Sequence, residues 1–182
     1  MTITSSLGPD GYTVSIPAQV SGGGATLAWR ASAPPGAPIA GPISAFGALA
    51  PLTTLLIPAG TLIAGASQIR CKVRFLRTGS AATMVPAMYV GNVNSVASNA
   101  MSDSTLATSG TVGCIDYVID VTSATTLTSW WQIDRAGNTS GNALNFSTKF
   151  DIATDTYITF GVNPINAADT CALLAYDIQV FR

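Results

Sequence analysis

A chain of 182 residues with 9% charged side chains and a net charge of −1 has room for one sizeable core, and it presents no field that would draw nucleic acid. Hydrophobic residues make up 48%, too many for a disordered chain. Histidine and glutamate are absent, which excludes Ser-His-Asp and Cys-His relays and histidine metal sites, and leaves aspartate as the only acidic side chain.

The first residues, MTITSSLGPDGYT, lack a basic region followed by an apolar core, so no signal peptide is expected. Residues 12–16 and 26–30 are short extended pieces on either side of a Ser21-Gly22-Gly23-Gly24 break. No charge then occurs between Arg30 and Arg70. A membrane span there would need about 20 apolar residues in helical form. Pro34, Pro35, Pro38, Pro42, Pro51 and Pro58, interleaved with glycines, forbid that helix, and no membrane insertion is expected. Residues 1–50 are expected to form an extended Gly/Pro/Ala-rich N-terminal arm, covered by neighbouring subunits, and residues 51–182 a folded domain.

From there, strands follow at short spacing: 53–57, 68–77, 82–90, 111–121, 126–135, 143–148, 156–162 and 171–181. The clearest is 68–77. Ile69, Cys71, Val73 and Phe75 alternate with Arg70, Lys72 and Arg74, which makes one buried face and one wet face. Pro86 marks an edge or a bulge in its strand. Residues 92–110 are small and polar and are expected to form a long surface loop. Ile115, Tyr117, Ile119 and Val121 share one face of the next strand, and Asp116 and Asp120 share the other. Trp130 and Trp131 are adjacent, so one ring points inward and the other outward, toward a second subunit, a sugar or solvent. Residues 136–142 are turn-rich. Strong helix formers are scarce: there is no Glu and little Lys, beside abundant Thr, Ser, Val, Ile and Gly. The fold class is therefore all-β, an antiparallel β-sandwich resembling a jelly roll.

Little in this chain points to chemistry. Asp116 and Asp120 lie four residues apart along a strand, about 13 Å, too far for a retaining glycosidase pair. No nucleotide-binding, nucleophile-elbow or calcium-loop motif occurs, and no cofactor or metal is expected. Cys71, Cys114 and Cys171 have no metal-like spacing; each falls in an expected strand and reads as a small buried hydrophobe in a reducing compartment. Arg70, Lys72 and Arg74 form the basic stripe. It suits either a phosphate or lipopolysaccharide surface, or a solvated face salt-bridged to Asp116 and Asp120 on a neighbouring strand. Asn138 and Asn145 sit in Asn-x-Ser/Thr patterns, which matter only in a glycosylating secretory pathway.

The segment IPAGTLIAGASQIRCKVRFLRTGS, and the closing segment TYITFGVNPINAADTCALLAYDIQVFR, resemble the β-sandwich domains of tailed-bacteriophage virion proteins. The resemblance spans residues 55–182: an Ile-Pro-Ala turn entering a long strand with alternating basic residues, then a penultimate strand, a loop at 163–169 and a C-terminal strand. It implies a non-enzymatic homotrimer, a compact head fibre or fibre knob. A capsid decoration protein and a short tail-tip receptor-binding protein are the alternatives. Residues before about Ala50 would anchor it to other virion proteins, capsid or tail, after assembly in the host bacterial cytoplasm. Its outer loops, 92–110 and 136–142, would face host surface polysaccharide, with Asn94, Asn99, Trp131, Asn138 and Asn142 as candidate contacts.

Overall fold

The computed structural model describes residues 3–4, 15–16, 25–44, 49–79, 84–103, 112–131, 143–164 and 168–182. Among these residues every regular element is a strand. In chain order they are β1 (Ile3–Thr4), β2 (Ser15–Ile16), β3 (Ala25–Ser32), β4 (Ala40–Ile43), β5 (Ala50–Ile57), β6 (Gln68–Thr78) and β7 (Met84–Gly91). Then come β8 (Asn99–Asp103), β9 (Val112–Ser123), β10 (Thr126–Trp131), β11 (Ala143–Phe146), β12 (Thr156–Pro164) and β13 (Thr170–Phe181). No helix of the described residues is long and apolar enough to cross a membrane.

Two antiparallel sheets pack face to face. The seven-stranded sheet runs β11-β10-β9-β6-β13-β3, with β4 also paired to β13; the four-stranded sheet runs β5-β12-β7-β8. The pairings are nested. The outermost partners are β3 with β13, then β5 with β12, β6 with β9, and β7 with β8. A long antiparallel hairpin rolled across two sheets gives this order, which is the topology of a jelly roll. The β10–β11 hairpin widens one sheet beyond it.

Alternation decides what each strand buries. Along β6, Ile69, Cys71, Val73 and Phe75 are buried while Arg70, Lys72 and Arg74 are exposed. Along β9, Tyr117, Ile119 and Val121 are buried; Asp116 is exposed and Asp120 half-buried. Facing them across the core are Leu55 and Ile57 from β5, Met88 and Val90 from β7, and Ile158, Phe160 and Val162 from β12. Phe160 and Tyr176 stack between the sheets, with ring centroids 6.0 Å apart.

Several expectations change. Trp29 on β3 is buried in the same core and Leu27 packs against it. Residues 25–32 and 40–43 are both paired to β13, so two strands that precede Ala50 belong to the sandwich rather than to an arm. The hand-over occurs at an irregularity in β13, where the Ala33 and Ile39 amides donate to the carbonyls of Leu174 and Leu173, each at 2.9 Å. The expected loop 92–110 contains a strand, β8, so Asn99 pairs with Val90 in a ladder. Pro86 is buried opposite Val162 in β12 and stands one residue outside the β8 ladder, where its missing N–H costs no bond on that side. The exposed state of Cys114 overturns its reading as a buried hydrophobe: it shares the outward face with Asp116, whereas Cys71 and Cys171 are buried.

Candidate functional site

The outward face of the seven-stranded sheet collects most of the charged side chains of the described strands. One register line across four strands reads Asp116 (β9), Lys72 (β6), Asp177 (β13), Arg30 (β3). Charges alternate along it. Lys72 Nζ lies 3.5 Å from Asp116 Oδ2, and Arg30 Nε lies 3.0 Å from Asp177 Oδ1. All four side chains are substantially solvated, so each pair is worth no more than about 1 kcal/mol. Their contribution is register: a one-residue slip would set Lys72 opposite Ile115 or Tyr117, and a like slip of β3 on β13 would part Arg30 from Asp177, so both ion pairs would break.

The neighbouring line holds Arg70. Its guanidinium lies 4.7 Å from the centroid of the Phe181 ring, and its Nε donates to Gln68 Oε1 at 2.7 Å. Gln68 Nε2 in turn donates to Asp120 Oδ1 at 2.9 Å. Arg74 has no ion-pair partner among the described residues. The stripe of Arg70, Lys72 and Arg74 is thus interleaved with Asp116, Asp120 and Asp177, which offsets its positive field. Beside Arg74 an open groove of about 350 Å³ is floored by Cys114 and Ala175 and rimmed by Lys72, Arg74, Asp116 and Asp177. Among the described residues no group of three or more His, Cys, Asp or Glu could hold a metal ion.

Cys114 gives this face a chemical handle. The thiolate is the reactive form of cysteine. Burial pushes the Cys71 thiol far up, with the Asp116 charge adding to it. Burial also raises Cys171 to about 12, against a small lowering by a backbone hydrogen bond at Ala172. With Ellman's reagent at neutral pH, the folded protein is expected to release one equivalent per chain quickly, and three only after unfolding. Cys114→Ser should remove the fast phase; a fast phase that survives would place the accessible thiol elsewhere.

The opposite outward face, on the four-stranded sheet, differs in kind. Its outward positions on β5, β12 and β7 include Pro51, Thr54, Leu56, Tyr157, Thr159, Tyr89 and Ala87, none charged at neutral pH. Thr54 and Thr159 share a hydroxyl hydrogen bond at 3.2 Å. The turn at residues 92–98 folds over part of this face. Gly161 makes room for it, because a Cβ there would come within 2.7 Å of Val96 Cγ1. Asn92 pins the turn's start by donating from Nδ2 to the carbonyls of Asp151 (3.0 Å) and Asp155 (2.8 Å). Lys149 holds its far side through Nζ to the Ala97 carbonyl.

Of the candidate loop contacts, Asn94 is exposed on that turn. Asn99 stands in β8, and Trp131 closes β10 opposite Tyr117; their side chains, and that of Trp130, lie outside those described. Asn138 and Asn142 lie outside the described residues. The candidate residues are therefore not brought together into one site: the basic stripe is on one sheet, and Asn94 is on the turn across the other. Reasoning from sequence missed the extension of the charged line to Asp177 and Arg30. Their only local signal is one charge in an otherwise apolar strand.

No family model matches the sequence, and no curated protein matches it. Among solved structures, the chain is similar to one from the "Structure of infectious bursal disease virus Gx strain", at 10% identity and a TM-score of 0.26, over 98% of this chain. The match spans 46% of that viral chain's length, and at this TM-score it carries no argument.

Proposed function

We propose that this chain is a non-enzymatic structural protein of a phage virion, a jelly-roll subunit that works as a homo-oligomer. What supports this reading is the nested jelly-roll pairing joined to a surface with very little charge: 9% of the chain, gathered mostly on one sheet face. Jelly rolls serve both as shell subunits and as lectins, so fold by itself does not decide. The outward positions of β5, β12 and β7, which carry no charge, do more; on this sheet Asp103 stands only at the β8 edge, in register with Ala87. A soluble monomer normally carries about 25% charged residues spread over its surface. A sheet face without charge is what a subunit presents to its neighbours. In this reading the charged face remains solvent-facing, and the neighbour covers only the part of the other face that the 92–98 turn leaves open, so that Asn94 on the turn can still meet host polysaccharide.

The test is gold-labelled antibody against this chain on intact phage particles, viewed by electron microscopy. Label over the head is expected for a head fibre or decoration protein, and label at the tail for a receptor-binding part. Particles that carry no label would overturn the virion reading.

A further inference from the structure

Arg74 stands apart from the other charges of its face. The line of Asp116, Lys72, Asp177 and Arg30 holds two ion pairs and is neutral in sum. The line beside it reads Cys114 (β9), Arg74 (β6), Ala175 (β13), Ser32 (β3) and contains no acid. Arg74 is exposed and makes no ion pair among the described residues. The groove follows from its neighbours. Cys114 and Ala175 have short side chains, and they leave about 350 Å³ open between Arg74 and the paired charges. Small-molecule sites occupy roughly 300–1,000 Å³. The residues that line the groove all belong to the described ones.

We propose that this groove binds a hydroxylated monocarboxylate the size of a sugar acid. The donor and acceptor groups around it choose that chemistry. A guanidinium holds a carboxylate in a bidentate fork, and Arg74 is the cation here whose charge is not already shared. The rim supplies acceptors. Asp177 is met by Arg30 and Gln179 at Oδ1, each at 3.0 Å, and Asp116 is met by Lys72 at Oδ2. The second oxygen of each carboxylate takes no bond from the described residues, so both can accept from ligand hydroxyls. The floor of Cys114 and Ala175 has no strong donor or acceptor and suits the C–H face of a ring. A neutral sugar would leave Arg74 unused, and an apolar acid would leave both rim oxygens unused. Phosphate is disfavoured too, because Asp116 and Asp177 repel a second negative charge.

The site does not depend on the virion reading, and the thiol on its floor reports occupancy. Alkylation of Cys114 by iodoacetamide, an uncharged reagent, is followed on the full chain at constant ionic strength. D-Glucuronate is expected to slow it about tenfold at saturation, with the half-effect at about 1 mM, an affinity suited to an open groove with one unshared charge. D-Glucose and inorganic phosphate should each slow it less than about twofold at that concentration. Arg74→Gln should weaken the protection by glucuronate about tenfold or more, and the far-UV spectrum should not change, because Arg74 is exposed. Ala175→Leu fills the floor, keeps every charge, and should remove the protection as well. Titration calorimetry on Cys114→Ser should return the same half-point, since the thiol reports binding without carrying it. A uronate trisaccharide that protects more strongly than the free acid assigns the ligand to a polymer, and equal protection assigns it to the free acid; both support the site. No protection by glucuronate at about 50 mM, equal protection by glucose or phosphate, or protection that survives Arg74→Gln would each overturn it. The immunogold outcome is untouched by any of these results.

Discussion

Asp169→Ala is expected to cost about 3–5 kcal/mol of folding stability, a large part of the roughly 5–15 kcal/mol that holds a typical domain together. The reason is the position of Arg77. It follows Phe75 on the inward-facing parity of β6, and its side chain is fully buried, as is that of Asp169. Arg77 Nη2 donates to Asp169 Oδ2 at 3.0 Å. A guanidinium cannot shed its proton to escape burial, so removing this carboxylate leaves a cation in a low-dielectric site. The site has little room to relax. Gly79, at φ +94°, packs against Asp169, and a Cβ there would also lie 2.7 Å from the Ala168 carbonyl. Urea denaturation should show a lower midpoint with an unchanged slope. The double variant Arg77→Met with Asp169→Leu removes both charges and should recover most of the loss, because apolar replacements of buried ion pairs are often neutral or stabilising. A loss under about 1 kcal/mol for Asp169→Ala would show that water reaches Arg77.

That ion pair also marks where sequence stopped being informative. Within one strand, the pattern determined almost everything. The Ile69, Cys71, Val73, Phe75 alternation assigned both faces of β6, and Tyr117, Ile119 and Val121 did the same for β9. The expectation that Asp116 would salt-bridge the basic stripe is met at Lys72, because two neighbouring strands of alternating character have few registers that bury both apolar sets. Arg77 defeats this logic. A charged residue at the end of a strand reads as a wet terminus, and its partner lies 92 residues away in what looked like a short polar loop. No local signal connects them.

The same limit explains β3, β8 and the groove. Thr26 to Arg30 is legible as an extended piece, but only the closing strand β13, at the far end of the chain, makes it a core strand with Trp29 inside. Asn99–Asp103 carries neither β-branched residues nor alternation, and it becomes a strand because β7 offers it an edge. Strand propensity is weak beside such a template. The groove beside Arg74 arises because two small residues, Cys114 and Ala175, meet across β6 from β9 and β13, a coincidence of register that no single segment encodes.

Phe160→Ala should match the loss at Asp169 by a different mechanism, about 3–5 kcal/mol from lost transfer energy and the cavity left behind. Phe160 has no exposed surface, and β12 is held from both sides by β5 and β7, so the backbone cannot move in to fill the space. Its ring stacks on Tyr176 with an interplanar angle of 27°, and so joins the second and the outermost pairs of the nested hairpin across the core. Phe160→Leu keeps most of the volume and should cost less than half as much; Leu56→Ala, on the exposed face, should stay within about 0.5 kcal/mol of wild type. The order Ala, then Leu, then the surface control is the discriminating result. In a jelly roll most contacts are distant in sequence, so folding is slow and the sheets must close before the ring is buried. Stopped-flow unfolding should therefore accelerate in Phe160→Ala more than refolding slows, placing the stack late in closure. Equal changes in both rates would place it in the nucleus instead, and a loss below about 1.5 kcal/mol would mean that the two sheets do not pack through Phe160 at all.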